Sequence, residues 1–307
     1  MTLVEGHQHP DSGWFNQRFP HVIKVYLKIF YYSDSVSRWS REQKSVVGFV
    51  PTMGALHEGH ISLVHEARKH CDYVVVSIFV NPMQFGPNED FHRYPRPLQD
   101  DLKLCTDAGV NLVFNPSVEE MYPTGFATVV EVNGLTNNLC GKSRPGHFKG
   151  VTTVVMKLFG QVQPDAAYLG QKDAQQALVI KRMARDLDLP IEVVICPTLR
   201  EHDGLAMSSR NRYLSNEQRS VAPLIYKGLC LLKEEVALKK HESSAQYRMD
   251  LLKRLEAIPN GVVDYVEIVN ADSLEVLEKM NGIVLIAVAL KLGNTRLIDN
   301  IIINTFA

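Results

Sequence analysis

Runs of apolar residues without alternation recur through the first two thirds of the chain. Val46–Val50, Tyr73–Val80, Val110–Phe114, Ala166–Leu169 and Ile191–Cys196 are short and rich in β-branched residues. Apolar residues at successive positions mark strands covered on both faces rather than one. Between these runs lie segments with helical character, Ile61–His70, Leu98–Ala108, Gly150–Gly160 and Asp173–Leu187. Strands alternating with such helices predict a parallel sheet in an α/β fold, Rossmann-like and doubly wound.

After Arg200 the order changes. Asn216–Lys240 and Ser243–Ala257 read as helices, and Val262–Val269, Gly282–Leu290 and Thr295–Ile303 as strands. The last two strands are joined by a short loop containing Gly293 and Asn294, which predicts an antiparallel hairpin. This is a smaller C-terminal α+β domain, and the boundary falls near Thr198–Leu199. The expected division is an extension over 1–21, a Rossmann-like domain over 22–198 and the α+β unit over 199–307. Val22–Tyr32 reads as a strand or a short helix. Residues 1–21 show neither period, mix His, Pro, Gly and Trp, and read as a poorly ordered extension rather than a signal or transit peptide.

A chain of 307 residues accommodates two such domains. With 45% hydrophobic and 22% charged residues it is ordinary globular material. Lys plus Arg number 33 against 34 Asp plus Glu, a net charge of −1, so no global field favours nucleic acid or an anionic membrane. Any anion must be held by local geometry. Five widely spaced cysteines with no C-x-x-C pair exclude a zinc ribbon or a disulfide framework and predict a reducing compartment. No apolar run is long enough to span a bilayer, so the chain reads as soluble and cytoplasmic.

Two loops carry candidate chemistry. Pro51-Thr52-Met53-Gly54-Ala55-Leu56-His57-Glu58-Gly59-His60 connects a strand to a helix, where backbone N–H groups and the helix dipole receive anions. Gly54 permits a turn, Gly59 leaves room against the backbone, and two imidazoles flank Gly59. The loop serves either phosphate chemistry or helix capping. The histidines are three residues apart and lack the H-E-x-x-H spacing of a zinc helix. The second loop runs from Arg200 to Asn211, polar and glycine-containing, at the domain junction. Its hydroxyls and Arg210 suit a polyphosphate, and a serine-rich linker is the alternative. Gly141-Lys142-Ser143 looks like the end of a P-loop, but the preceding glycine is Gly134, two residues too early.

Together these loops resemble the HIGH and KMSKS signatures of the nucleotidyl-transferase superfamily that includes class I aminoacyl-tRNA synthetases. The segments PTMGALHEGH, SIFVNPMQF, RPGHFKGV, YLGQKDAQQ and DGLAMSSRNRYLS narrow this, because their order and spacing resemble the pantothenate synthetase (pantoate–β-alanine ligase) family. The resemblance covers about residues 45–303. It implies ATP-dependent condensation of pantoate with β-alanine to pantothenate through a pantoyl adenylate, releasing AMP and pyrophosphate. A nucleotidylyltransferase and an inactive nucleotide-binding regulator are the alternatives.

The resemblance also implies residue roles. His57 and His60 match the histidines on the ATP phosphates, with His60 at the position of the proton donor. Met53, Gly54, Ala55, Leu56, His57, Glu58, Gly59 and His60 form the first nucleotide loop. Gly170, Gln171, Lys172 and Asp173 form the second, at a strand end. Lys172 is the expected phosphate cation and catalytic partner of the histidines. Asp173 holds a ribose hydroxyl or caps the helix. Leu199, Met207, Ser208, Ser209 and Arg210 complete the ATP envelope. The latter loop lacks the KMSKS lysines, so Arg210 and Lys172 are expected to carry the positive charge. Gln84 and Gln176 match the glutamines that hold pantoate, with β-alanine alongside. Asp100 and Asp101 are expected either to hold Mg²⁺ or to serve as favourable charges in a helix's first turn. Arg144 and His147 are expected near the site, with a further contribution to a dimer contact, and a homodimer is expected.

Overall fold

The computed structural model describes residues 27–306 except 88, 240 and 242. The expected extension over 1–21, and the first residues of Val22–Tyr32, lie outside the described residues. In chain order the elements are β1 (Lys28–Phe30), α1 (Ser33–Glu42), β2 (Val47–Thr52), α2 (Glu58–His70), β3 (Tyr73–Ile78), α3 (Leu98–Asp107) and β4 (Leu112–Phe114). Next come α4 (Val118–Met121), α5 (Leu139–Ser143), α6 (His147–Val162), β5 (Ala166–Gly170), α7 (Ala174–Asp186) and β6 (Glu192–Cys196). The rest is α8 (Asn216–Val221), α9 (Leu224–Ala237), α10 (Ser244–Glu256), β7 (Gly261–Asn270), β8 (Ile283–Leu292) and β9 (Thr295–Asn304).

The six-stranded sheet is parallel throughout, in the order β1-β4-β3-β2-β5-β6. Its strands are apolar at successive positions because helices cover both faces. Phe49, Val75, Leu112 and Ala167 point into one core with Trp39 of α1, Leu158 and Phe159 of α6, and Ile180 of α7. Their neighbours Val50, Val74, Val76, Val113 and Tyr168 point into another with Ile61 and Val64 of α2 and Leu102 of α3. After β1 at one edge the chain enters the middle of the sheet at β2, winds outward through β3 and β4 to meet β1, then crosses to β5 on the other side. The carboxyl ends of β2 and β5 therefore flank a topological switch point, where open α/β sheets bind ligands.

The C-terminal sheet is an antiparallel meander, β7-β8-β9. Along β8, Val284, Ile286, Val288 and Leu290 pack under Leu229 and Leu232 of α9 and Leu251 of α10. Leu285 and Ala287, on the opposite face, join the core of the parallel sheet instead. The unit is thus bonded to the first by a shared apolar seam.

Two expectations need correction. The single helix over Asn216–Lys240 is two, α8 and α9, broken before Leu224. Pro223 has no N–H to continue the ladder and its ring clashes with the preceding turn. The second is an omission, α1, whose polar sequence shows only Val36 and Trp39 to the core. Among the described residues no helix is long and apolar enough to cross a membrane.

Candidate active site

The loop after β2 is shaped from beneath. Gly54 turns at φ +77°, a left-handed conformation natural to glycine. The next two backbone N–H groups, of Ala55 and Leu56, donate to the two oxygens of Asp101 at 2.9 and 2.7 Å. Asp101 is buried in the first turn of α3, with Asp100 exposed beside it. Burial pushes its carboxyl pKa up, and the two N–H bonds oppose that shift. Of the pair expected either to hold Mg²⁺ or to serve as first-turn charges, Asp101 braces the loop and Asp100 faces solvent, both in the first turn of α3.

Beyond that brace the loop enters α2, where the histidines do double duty. The Gly59 N–H donates to His57 Nδ1 at 3.1 Å, and the His57 N–H donates to His60 Nδ1 at 3.4 Å. Nδ1 of each ring is thus an acceptor, so the proton of the neutral ring sits on Nε2. A Cβ on Gly59 would lie 2.8 Å from His57 Cε1, so glycine here makes room for the imidazole. The two rings stand 4.1 Å apart between centroids.

Burial, then the charges of Lys172 and Arg212, lower the His57 pKa to about 4. Burial, then His57 and Lys172, lower that of His60 to about 3. Both rings are neutral near pH 7 and present Nε2–H donors at a helix N-terminus. The capping and phosphate readings are therefore compatible: Nδ1 serves the cap and Nε2 remains for a ligand.

These rings face a cavity of about 200 Å³ at the switch point. Its walls bring together Met53, His57, Gly59, His60, Gln84 and Gly170 with Lys172, Asp173 and Gln176. Leu199, Met207, Ser208, Ser209 and Arg210 close it from the second loop. A second cavity of about 290 Å³, toward the C-terminal sheet, shares Lys172, Asp173, Gln176, Ser208 and Arg210 with the first. Of the expected nucleotide residues, Gly54, Ala55 and Leu56 are buried in the loop's underside, Glu58 is exposed, and Gln171 bonds to Asn300.

Gln84 is oriented by a residue outside the expected set. Asn81 Nδ2 donates to Gln84 Oε1 at 3.1 Å, while Tyr122 hydroxyl and the Met83 N–H donate to Asn81 Oδ1. Gln84 therefore turns its amide nitrogen, a donor, toward Met53 Sδ and the cavity. The backbone carbonyl of Gln84 is gripped from behind. His147 Nδ1 lies 2.8 Å from it, Arg144 Nη1 lies 2.9 Å from His147 Nε2, and Arg144 forks onto Glu89 at 2.6 Å. Arg144 and His147 thus sit directly behind Gln84.

Arg210, expected to carry positive charge for the phosphates, lines both cavities and is itself paired. Its guanidinium forks onto Asp90 with two contacts of 2.9 Å, which leaves its charge matched within the protein. Lys172 is less tightly held, at 3.4 Å from Asp173 Oδ2. Asp90 and Asn81 are functional neighbours that spacing did not reveal. The first lies in the irregular stretch after Phe85, with no period to place it.

Three histidines, His147 buried and His57 and His60 half-buried, are expected to set an acid limit on stability. His147 is lowered to about 4, first by burial and then by Arg144, and joins His57 and His60. Each folded-state pKa is below the unfolded value of 6.5, so the unfolded chain binds protons first as pH falls. Stability is fully present above about pH 6.5 and is lost toward pH 4, at about 1.4 kcal/mol per pH unit for each histidine. Urea unfolding at pH 7.5, 6 and 4.5 measures this. A flat midpoint across that range would mean the rings are not held neutral.

The family model for pantoate-beta-alanine ligase matches residues 24–302. The chain is 56% identical over 270 residues to the pantothenate synthetase of Acetivibrio thermocellus, covering 88% of this chain and 95% of that one. It is 57% identical over 264 residues to that of Moorella thermoacetica, covering 86% and 93%. The structure is similar to the Thermus thermophilus pantothenate synthetase with TM-score 0.85 and 48% identity, covering 89% of this chain and 98% of that one. It is also similar to a Francisella tularensis pantoate-beta-alanine ligase solved with beta-gamma ATP and beta-alanine, with TM-score 0.73, 35% identity, and 90% and 97% covered.

Proposed function

The chain belongs to the pantoate–β-alanine ligase family, and from that premise we propose how this site makes pantothenate from pantoate, β-alanine and ATP. A carboxylate and an ammonium do not condense in water without a leaving group. In the proposed first step a pantoate carboxylate oxygen attacks the α-phosphorus of ATP. The bond from that phosphorus to the bridging oxygen breaks, and pyrophosphate leaves. In the second step the β-alanine amine attacks the acyl carbon, the bond to AMP breaks and the amine loses a proton.

The observation carrying this reading is the convergence of two neutral imidazole donors, one lysine and two glutamines on one cavity. His57 and His60 direct Nε2–H groups at developing phosphate charge, and Lys172 supplies the positive charge. His60 acts here as a hydrogen-bond donor, since a ring with pKa near 3 holds no acidic proton at neutral pH. Gln84 and Gln176 orient pantoate with neutral amides, which bind a carboxylate without quenching its nucleophilicity. Asp173 stands at the N-cap of α7 without a side-chain capping bond, which favours a ribose hydroxyl over helix capping for its carboxylate.

Among the described residues no three His, Cys, Asp or Glu side chains converge as a metal cage. Mg²⁺ fits this donor set as an ion held chiefly by ATP phosphates, with Asp173 as the nearby carboxylate. When bound it would neutralise phosphate charge. A homodimer, a cytoplasmic location and a lid role for 199–307 extend the same reading, and five free cysteines agree with a reducing compartment.

The test is pyrophosphate release with each substrate omitted in turn. Release should need pantoate and ATP, and free AMP should appear only when β-alanine is added. Gln84→Ala and Gln176→Ala should each raise the pantoate KM by roughly tenfold, as expected for losing a hydrogen bond to a charged group. Calorimetric titration with a non-hydrolysable ATP analogue should change little. A large loss of ATP affinity would place these amides on the nucleotide instead.

A further inference from the structure

Asn300 lies on β9 and is only 3% exposed. Its Nδ2 donates to two successive backbone carbonyls, of Gln171 at 2.9 Å and Lys172 at 3.0 Å. Its Oδ1 accepts from Gln171 Nε2 at 3.2 Å. Both ends of the buried amide are satisfied by one short turn, Gln171–Asp173, which delivers Lys172 to both cavities. A polar amide is costly to bury, and packing alone would be met by an apolar residue.

The asparagine is itself held. Arg200 forks onto Asp299 at 2.7 and 2.9 Å, and Asp299 Oδ1 accepts the Asn300 N–H at 2.7 Å. Arg200 also donates to the Asn300 carbonyl at 3.4 Å and lies over the Tyr226 ring, 3.5 Å from its centroid. Asp299 is 4% exposed, so the fork operates largely out of water. A buried charge pair adds little net stability compared with apolar packing, but it does define geometry. Arg200 stands in the segment that follows β6, so this chain of contacts ties the crossing between the two units to the lysine turn.

We infer that Asn300 is a positioning residue for Lys172, through which the C-terminal sheet sets the lysine for adenylate formation. The inference rests on the phosphate role proposed for Lys172. The action inferred for Asn300 is indirect: it fixes the backbone from which the lysine reaches. A misplacement of about 1 Å at a reacting centre costs on the order of 10²-fold in rate, so losing this clamp should be felt in the first half-reaction.

The experiment is a double-mutant cycle on single-turnover pyrophosphate release from ATP and pantoate. Asn300→Ala should slow release by roughly ten- to a hundredfold in the parent enzyme. In a Lys172→Ala background the same change should cost less than about twofold, because nothing remains to position. Thermal unfolding of each variant checks the fold. Asn300→Ser, which keeps one donor, enters the same cycle and should recover part of the rate in the parent background only. Full additivity of the Asn300 and Lys172 losses would overturn the inference and leave Asn300 a structural residue. Parent-like release by Lys172→Ala alone would instead refute the phosphate role of the lysine.

Discussion

His60→Ala is expected to slow pyrophosphate release from ATP and pantoate by on the order of 10²–10³, roughly 3–4 kcal/mol, while sparing the attack of β-alanine on preformed adenylate. The reasoning starts from the tautomer. With Nδ1 accepting the His57 N–H, the neutral ring directs Nε2–H into the cavity. A donor fixed before reaction, at a helix N-terminus, meets charge developing on the α-phosphate without reorganising. The second step forms a bond at the acyl carbon and depends less on it. Single-turnover measurement of each half-reaction separates the two. Undiminished pyrophosphate release by a folded variant would reject the role, and equal losses in both steps would make His60 a structural cap alone.

Asp101→Asn is expected to destabilise the fold by about 2–4 kcal/mol and to leave the dependence of the rate on added Mg²⁺ unchanged. The carboxylate accepts from two adjacent N–H groups, one on each oxygen. An amide offers one acceptor and turns its NH₂ against the second N–H, so a buried donor loses its partner. Such a loss costs roughly 1–3 kcal/mol, and more where the lost acceptor was charged. The loop carrying His57 and His60 then loses its brace, so kcat should fall along with stability. Urea unfolding and a magnesium titration of the initial rate measure the two effects. Unchanged stability with a raised magnesium requirement would return Asp101 to the metal.

The parallel sheet was legible because its signal is local. Val74, Val75 and Val76 alternate between two cores, and an apolar residue at each position reports that both faces are covered. The break at Pro223 was equally local, and weighing the missing N–H would have found it. The strand–loop–helix around His57 and His60 offered either an anion site or a helix cap from one stretch of chain, and the cap is formed. Its family resemblance supplied the substrates that no spacing could.

What only the tertiary structure decided is where charges and amides are spent. Asp101 reads as a first-turn helix charge until its carboxylate is seen on N–H groups 45 and 46 residues away. The Arg210 guanidinium shows no partner in its own stretch of chain, yet it forks onto Asp90, 120 residues distant. Asn300 reads as one polar residue in a strand, yet its amide closes on carbonyls 128 and 129 residues earlier. The sequence alone determined most of the strands and helices and the loops that line the cavity, because backbone propensity and apolar periodicity act over a few residues. The partner of a buried polar group is whichever group the folded sheets bring within about 3 Å, and that proximity exists only after the two units pack.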